Sequence, residues 1–154
     1  MQVLGIRTSL TTVRYAILDF SGERIEFVNK SDENKLDFPA AFSRPEEKIS
    51  WLYSEFDRIF HQYPDVELVV IKQQEYGNAL TKSGYYSALL DGIIHFIVAQ
   101  KQKPIESKFY TSIGTKRAEV KSFVEEKVGK SKTYFNEQMA DAIAAAWSGG
   151  AVVN

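Results

Sequence analysis

The chain has 154 residues, 44% of them hydrophobic, 13% aromatic and 25% charged, with a formal net charge of −1 and no cysteine. That length suits one compact domain with its own core, expected over residues 1–154, and is short for two. The composition excludes a disordered chain, and the lack of cysteine removes disulfides, thiolate zinc sites and cysteine nucleophiles together.

No run approaches the roughly 18 consecutive apolar residues of a membrane helix, and the first residues lead directly into a strand-like segment. A cytoplasmic protein with no membrane partner is therefore expected. The charge is unevenly spread. Residues 101–132 carry nine Lys/Arg against four Glu, a surplus of five on a body that is otherwise acidic. Such a segment is either a solvated helix surface or an electrostatic footprint for nucleic acid.

In chain order, residues 3–6 and 13–18 are apolar apart from Arg14, two strands joined by a Ser/Thr-rich turn at residues 8–12. Ser21-Gly22 turns into a third strand over residues 24–29, and turns this short make all three antiparallel. The polar stretch "SDENKLDFPAAFSRPEE" reads as a loop. A helix follows from Glu46 to about Tyr63, with Leu52, Phe56, Ile59 and Phe60 in its apolar stripe. "VELVVI" is a strand covered on both faces, ending in Lys72. "YYSALLDGIIHFIVAQ" predicts a buried helix, with His95 as a core residue. Pro104 opens a strand to about Tyr110, "GTKRAEVKSFVEEKVG" predicts an amphipathic helix closed by Gly129, and a last helix runs from Asn136 to a stop at Gly149-Gly150. His61 lies at a helix end, and neither histidine has a partner at ligand spacing. The order predicts an α/β fold: a mixed five-stranded sheet, three antiparallel strands followed by βαβα, with helices on both faces.

Four stretches in this order resemble the RuvC Holliday-junction resolvase family of the ribonuclease-H-like superfold. "VLGIRTSLTTVRYAILD" is similar to that family's first hairpin, which reads Gly-Ile-Asp-Pro-Gly, a short turn and Gly-Tyr-Ala/Gly. "VVIKQQEYGN" resembles its Ile-Glu-Gln strand and aromatic loop, "GTKRAEVKSFVEEKVG" its basic helix start, and "NEQMADAIAAAW" its final helix. The resemblance implies DNA cleavage by two Mg²⁺ ions on four carboxylates. Carried over position by position, the first acid falls on Arg7 and the second on Lys72. The third falls on Gln138, and only the fourth, Asp141, is kept. At about 4 Å and an effective dielectric of about 20, each introduced cation repels a divalent ion by about 8 kcal/mol. The resemblance thus points to the ancestry of a nuclease and away from its catalysis, and no cofactor is expected.

Several readings of these residues stand side by side. Arg7 and Lys72 form an ion-paired remnant with Asp141, helped by Glu137, or they bind a phosphate without cutting it. A relocated Mg²⁺ site on Glu75, Glu137 and Asp141 would make a weak metal-dependent endonuclease. Tyr76 takes the place of an aromatic that, by the resemblance, enters the opened junction. Lys116 and Arg117, expected at a helix start, are placed to favour phosphate. Thr8, Ser9, Thr11 and Thr12 also fit the phosphate hairpin of actin-like ATPases, which need a second lobe and an acid at position 7; here the hydroxyls are expected to satisfy the turn. The leading expectation is a non-enzymatic module binding DNA or RNA. The alternatives are the weak nuclease and a protein-interaction or homodimer module built on residues 85–100.

Overall fold

The computed structural model describes residues 1–75 and 81–151. Strands β1 (Gln2–Arg7) and β2 (Thr12–Asp19) form the expected hairpin, from Gln2 opposite Asp19 to Arg7 opposite Arg14. Its turn is closed by the hydroxyls: Ser9 Oγ donates to the Thr12 carbonyl at 2.6 Å and accepts from the Thr12 N–H at 3.2 Å.

The sheet has six strands, one more than expected. The third strand shrinks to β3 (Glu26–Phe27), and the stretch read as a loop supplies β4 (Lys35–Asp37). Both pair with the same edge of β2. Asn29, fully buried, explains the interruption. Its side chain accepts from the Ile17 N–H at 2.8 Å and donates to the carbonyls of Tyr15 and Glu33, replacing the missing ladder. Only Leu36 of the three β4 residues is buried, so there is no alternation to read.

Helix α1 (Pro45–Gln62) leads to β5 (Val66–Lys72), parallel to β1; α2 (Lys82–Gln100) leads to β6 (Ile105–Lys108), parallel to β5. The strand order is β3-β2-β1-β5-β6, with β4 beside β3 on β2. Leu4, Ile6, Tyr15, Ile17, Val69 and Ile71 bury against α1 and α2, while Val3, Ala16, Leu18 and Val70 bury against the C-terminal helices. The mixed sheet with helices on both faces is as expected.

The remaining elements depart from expectation in instructive ways. The strand stops at Lys108, and Tyr110 opens a short helix, α3 (Tyr110–Ile113), capped by Gly114 at φ +97°. The amphipathic helix α4 (Val120–Lys127) therefore begins late, and Lys116 and Arg117 lie in the turn before it. Gly129, at φ +122°, closes it as expected. The final helix α5 (Glu137–Ala151) runs through both glycines. A Cβ on Gly149 would lie 2.8 Å from Val3 Cγ1, and one on Gly150 would strike the Phe20 ring, so these glycines permit close packing and do not end the helix. On α2, Tyr85 and Phe96 are exposed by 60% and 53%. That helix is buried on one side only. His95 is on its open side, with Nε2 3.2 Å from Ser107 Oγ, which corrects its expected place in the core. His61 is exposed at the end of α1, 3.8 Å from Asp57.

Candidate functional site

Arg7 is the last residue of β1 and Lys72 the last of β5, one step past the parallel pair Ile6–Ile71, so their Cα atoms are neighbours at one end of the sheet. The α5 helix crosses this end and carries Asp141, whose side chain is fully buried. Arg7 Nε lies 3.0 Å from Asp141 Oδ2, and a second guanidinium nitrogen donates to the Thr8 carbonyl. The other oxygen, Oδ1, accepts from the Tyr110 hydroxyl at 2.7 Å. Both carboxylate oxygens are thus occupied.

Lys72 does not join this pair. Its Nζ, on a residue only 3% exposed, donates to Glu75 Oε1 at 3.0 Å and to the Gln73 carbonyl at 2.6 Å, and lies 3.9 Å from the Tyr110 ring centroid. Glu75 Oε1 also accepts the Tyr110 N–H at 3.1 Å. The expected remnant is therefore divided. Arg7 pairs with Asp141 and Lys72 with Glu75, three residues on, whose Oε1 is also held by the Tyr110 N–H. Tyr110 joins the halves. Burial holds the Lys72 ammonium below the usual lysine range against the pull of Glu75, and pushes the Asp141 carboxyl up against the Tyr110 hydrogen bond and Arg7. Burial, and then the bond to Asp141, raise the Tyr110 phenol, which remains a donor.

Arg7, Lys72, Gln74, Glu75, Tyr110, Arg117 and Glu137 line a cleft of about 100 Å³. Glu137 is not with Asp141: it accepts from Arg117 Nε at 2.8 Å across the cleft mouth. Gln138 is half-buried in the first turn of α5 and Lys116 is exposed in the turn before α4; neither lines the cleft. Tyr76 lies outside the described residues.

Behind the cleft is an acid that the sequence reading passed over. Thr8, 2% exposed, donates from Oγ1 to Asp91 Oδ1 on α2 at 2.6 Å. Burial pushes the Asp91 carboxyl up to about 6, against the Thr8 hydrogen bond and the charges of Arg7 and Lys72. Its only sequence signal is that it is the one acid in a long apolar helix. A carboxyl whose pKa rises on folding contributes stability that is full below about pH 4 and is lost as pH climbs through 6. Asp91→Asn keeps an acceptor for Thr8 and is expected to stabilise the protein by about 2 kcal/mol above pH 7, flattening this part of the pH profile; urea unfolding at pH 5 and 8 measures it.

No family model matches the chain, and no curated protein matches it in sequence. Solved structures do match. Thermus thermophilus RuvC in complex with Holliday junction substrate superposes with a TM-score of 0.78 at 15% identity, covering 96% of this chain and 92% of that one. The chain has the RuvC fold. A second Thermus thermophilus RuvC structure gives 0.77 at 14% identity over the same shares, and the yeast mitochondrial Holliday junction resolvase gives 0.60 at 16%, covering 96% of this chain and 76% of that one.

On this RuvC fold, the donor set does not fit two divalent cations. Asp141 is the one acid among the four matched positions, and Arg7 and Tyr110 occupy both its oxygens. Of the other acids considered, Glu75 serves Lys72 and Tyr110, and Glu137 serves Arg117. Among the described residues no group of three or more His, Cys, Asp or Glu is placed to hold a metal ion.

Proposed function

We propose that this RuvC-like chain is a non-cleaving nucleic-acid-binding module acting in the cytoplasm. One observation carries the reading. At the end of the sheet where the resemblance implies a carboxylate cluster stand two cations, Arg7 and Lys72, each already paired with one acid, Asp141 and Glu75. The cleft retains donors for a phosphate and lacks the means to polarise one through metal. Branched DNA is the ligand to try first, since a structure of similar fold is a complex with a Holliday junction.

Gel-shift titration with branched and duplex DNA at several salt concentrations is the test, run beside cleavage assays in Mg²⁺ and Mn²⁺. Binding that weakens steeply with salt, without product, is expected. No binding at micromolar protein and low salt removes the reading, and product that depends on Asp141 replaces it with the nuclease. Arg117, 74% exposed in its side chain, offers a finer check. Arg117→Ala is expected to change stability by less than about 1 kcal/mol while weakening DNA binding across sequences and lowering the salt slope by about 1.

A second reading concerns α2. Tyr85 and Phe96 are exposed there, and around Gly92 nothing lies within 4 Å of where a Cβ would be, although glycine within a helix costs up to about 1 kcal/mol relative to alanine. A second copy of the chain packing helix to helix would use both features. Sedimentation should then show a dimer that Phe96→Glu converts to monomer; a monomeric wild type rejects this reading.

A further inference from the structure

The register of the sheet sets basic residues side by side. Arg14 on β2 lies opposite Arg7 on β1 and, on its other side, opposite Lys35 on β4; beyond Arg7 come Lys72 on β5 and Lys108 on β6, themselves partners. Residues directly opposite point to the same face, so five strands present an unbroken row of cations about 19 Å long at a strand spacing of about 4.8 Å. Like charges placed this way repel, and four of the five have an acid to offset the repulsion. Lys35 has Asp37 at 3.0 Å, Arg7 has Asp141 at 3.0 Å, Lys72 has Glu75 at 3.0 Å and Lys108 has Glu106 at 3.4 Å.

Arg14 has none. It is 8% exposed, flanked by Lys35 and Arg7, and its Nε and Nη1 are buried without a hydrogen-bond partner among the described residues. A buried guanidinium with unused donors is among the more costly things a fold can contain. An anion supplied from outside would satisfy it. The aromatic ring on neighbouring Lys35 also suggests which anion. Tyr134 is 63% exposed, held at φ +56°, with its ring 4.0 Å from Lys35 Nζ. A non-glycine residue on that backbone, with its ring turned to solvent, is a platform that packing alone does not require.

We propose that Arg14, with Lys35 beside it and Tyr134 on Lys35, is a second phosphate-binding site: the guanidinium takes a backbone phosphate of a nucleic-acid strand, and the Tyr134 ring swings from Lys35 onto the adjoining base. This rests on the nucleic-acid reading above and extends it along the cation row from the Arg7 and Lys72 cleft. Forked guanidinium donors suit a phosphate's oxygens, and an aromatic ring beside them accepts any base.

Fluorescence anisotropy with single-stranded and branched DNA over a range of salt tests it, with thermal unfolding of the same variants. Arg14→Gln is expected to weaken binding several-fold and to lower the slope of log affinity against log salt by roughly 0.7 to 0.9, one phosphate contact. Without DNA it is expected to melt above the wild type, since a buried guanidinium with unused donors is gone. Tyr134→Ala should weaken binding and leave the slope unchanged. An Arg14→Gln variant with an unaltered slope, or one that melts lower, overturns the proposal, because Arg14 would then serve the fold or meet only water. Should the wild type bind no DNA, a pyrophosphate titration followed on the Arg14 Nε–H resonance separates the two claims. A shift keeps the anion site and discards the nucleic acid; a resonance that does not move discards the site.

Discussion

Asp141→Ala is expected to lower the stability of the protein by about 3–5 kcal/mol, the loss typical of removing one member of a buried ion pair. Among the described residues the substitution leaves Arg7 with only the Thr8 carbonyl, strips the half-buried Tyr110 of the acceptor for its hydroxyl and deprives Lys72 of a nearby negative charge. For a domain of this size the melting temperature should fall by roughly 10 °C. Asp141→Asn keeps an acceptor for Tyr110 and should lose less. Replacing both partners, Arg7→Met with Asp141→Leu, should cost far less than the sum of the single changes, since no charge is left stranded. The sign of the first result separates the two histories of this site. Carboxylates gathered for metal repel one another when the metal is absent, so trimming one stabilises the metal-free protein. Here trimming should destabilise it, with or without Mg²⁺. A variant as stable as the wild type in urea unfolding would mean that the pair at 3.0 Å contributes nothing.

The sequence placed Arg7 and Lys72 correctly because each ends an apolar run, and the ends of neighbouring strands meet whatever the loops do. Their partners were legible only in part. Asp141 lies 134 residues from Arg7, and its place came through the resemblance of the last helix; nothing local predicts it. Glu75 lies just beyond β5, where alternation no longer fixes direction, and its bonds to Lys72 and to the Tyr110 N–H are contacts that no local pattern signals. Tyr110 was expected to end a strand. It opens a one-turn helix instead, and that change of geometry aims its hydroxyl at Asp141 and its ring at Lys72. Arg14 was the interruption in an apolar strand, and only the register, with Lys35 on a three-residue strand invisible to any periodicity, shows that it stands in a row of like charges. What failed to read is what depends on cross-strand register and on turns. What read well depends on runs and stripes.

Gly5→Ala is the other large expected effect, and it reaches the site through packing. A Cβ at Gly5 would strike the Ala142 carbonyl and lie 2.8 Å from Ala146 Cβ, so α5 rests directly on the backbone of β1. Neither the carbonyl nor the helix backbone can yield as a flexible side chain would, and α5 must lift. Overpacking of this kind costs about 3 kcal/mol. Asp141 precedes Ala142 on the lifted helix, so the same movement draws its carboxylate away from Arg7 and Tyr110. The two effects are therefore coupled. Asp141→Ala introduced into the Gly5→Ala protein should cost less than it does in the wild type, by about 1 kcal/mol or more, because part of the ion pair is already gone. Thermal unfolding of the two single variants and the double variant closes the cycle. Strict additivity would show that the helix seat and the charge pair are independent, and a Gly5→Ala protein within about 0.5 kcal/mol of the wild type would contradict the close approach itself.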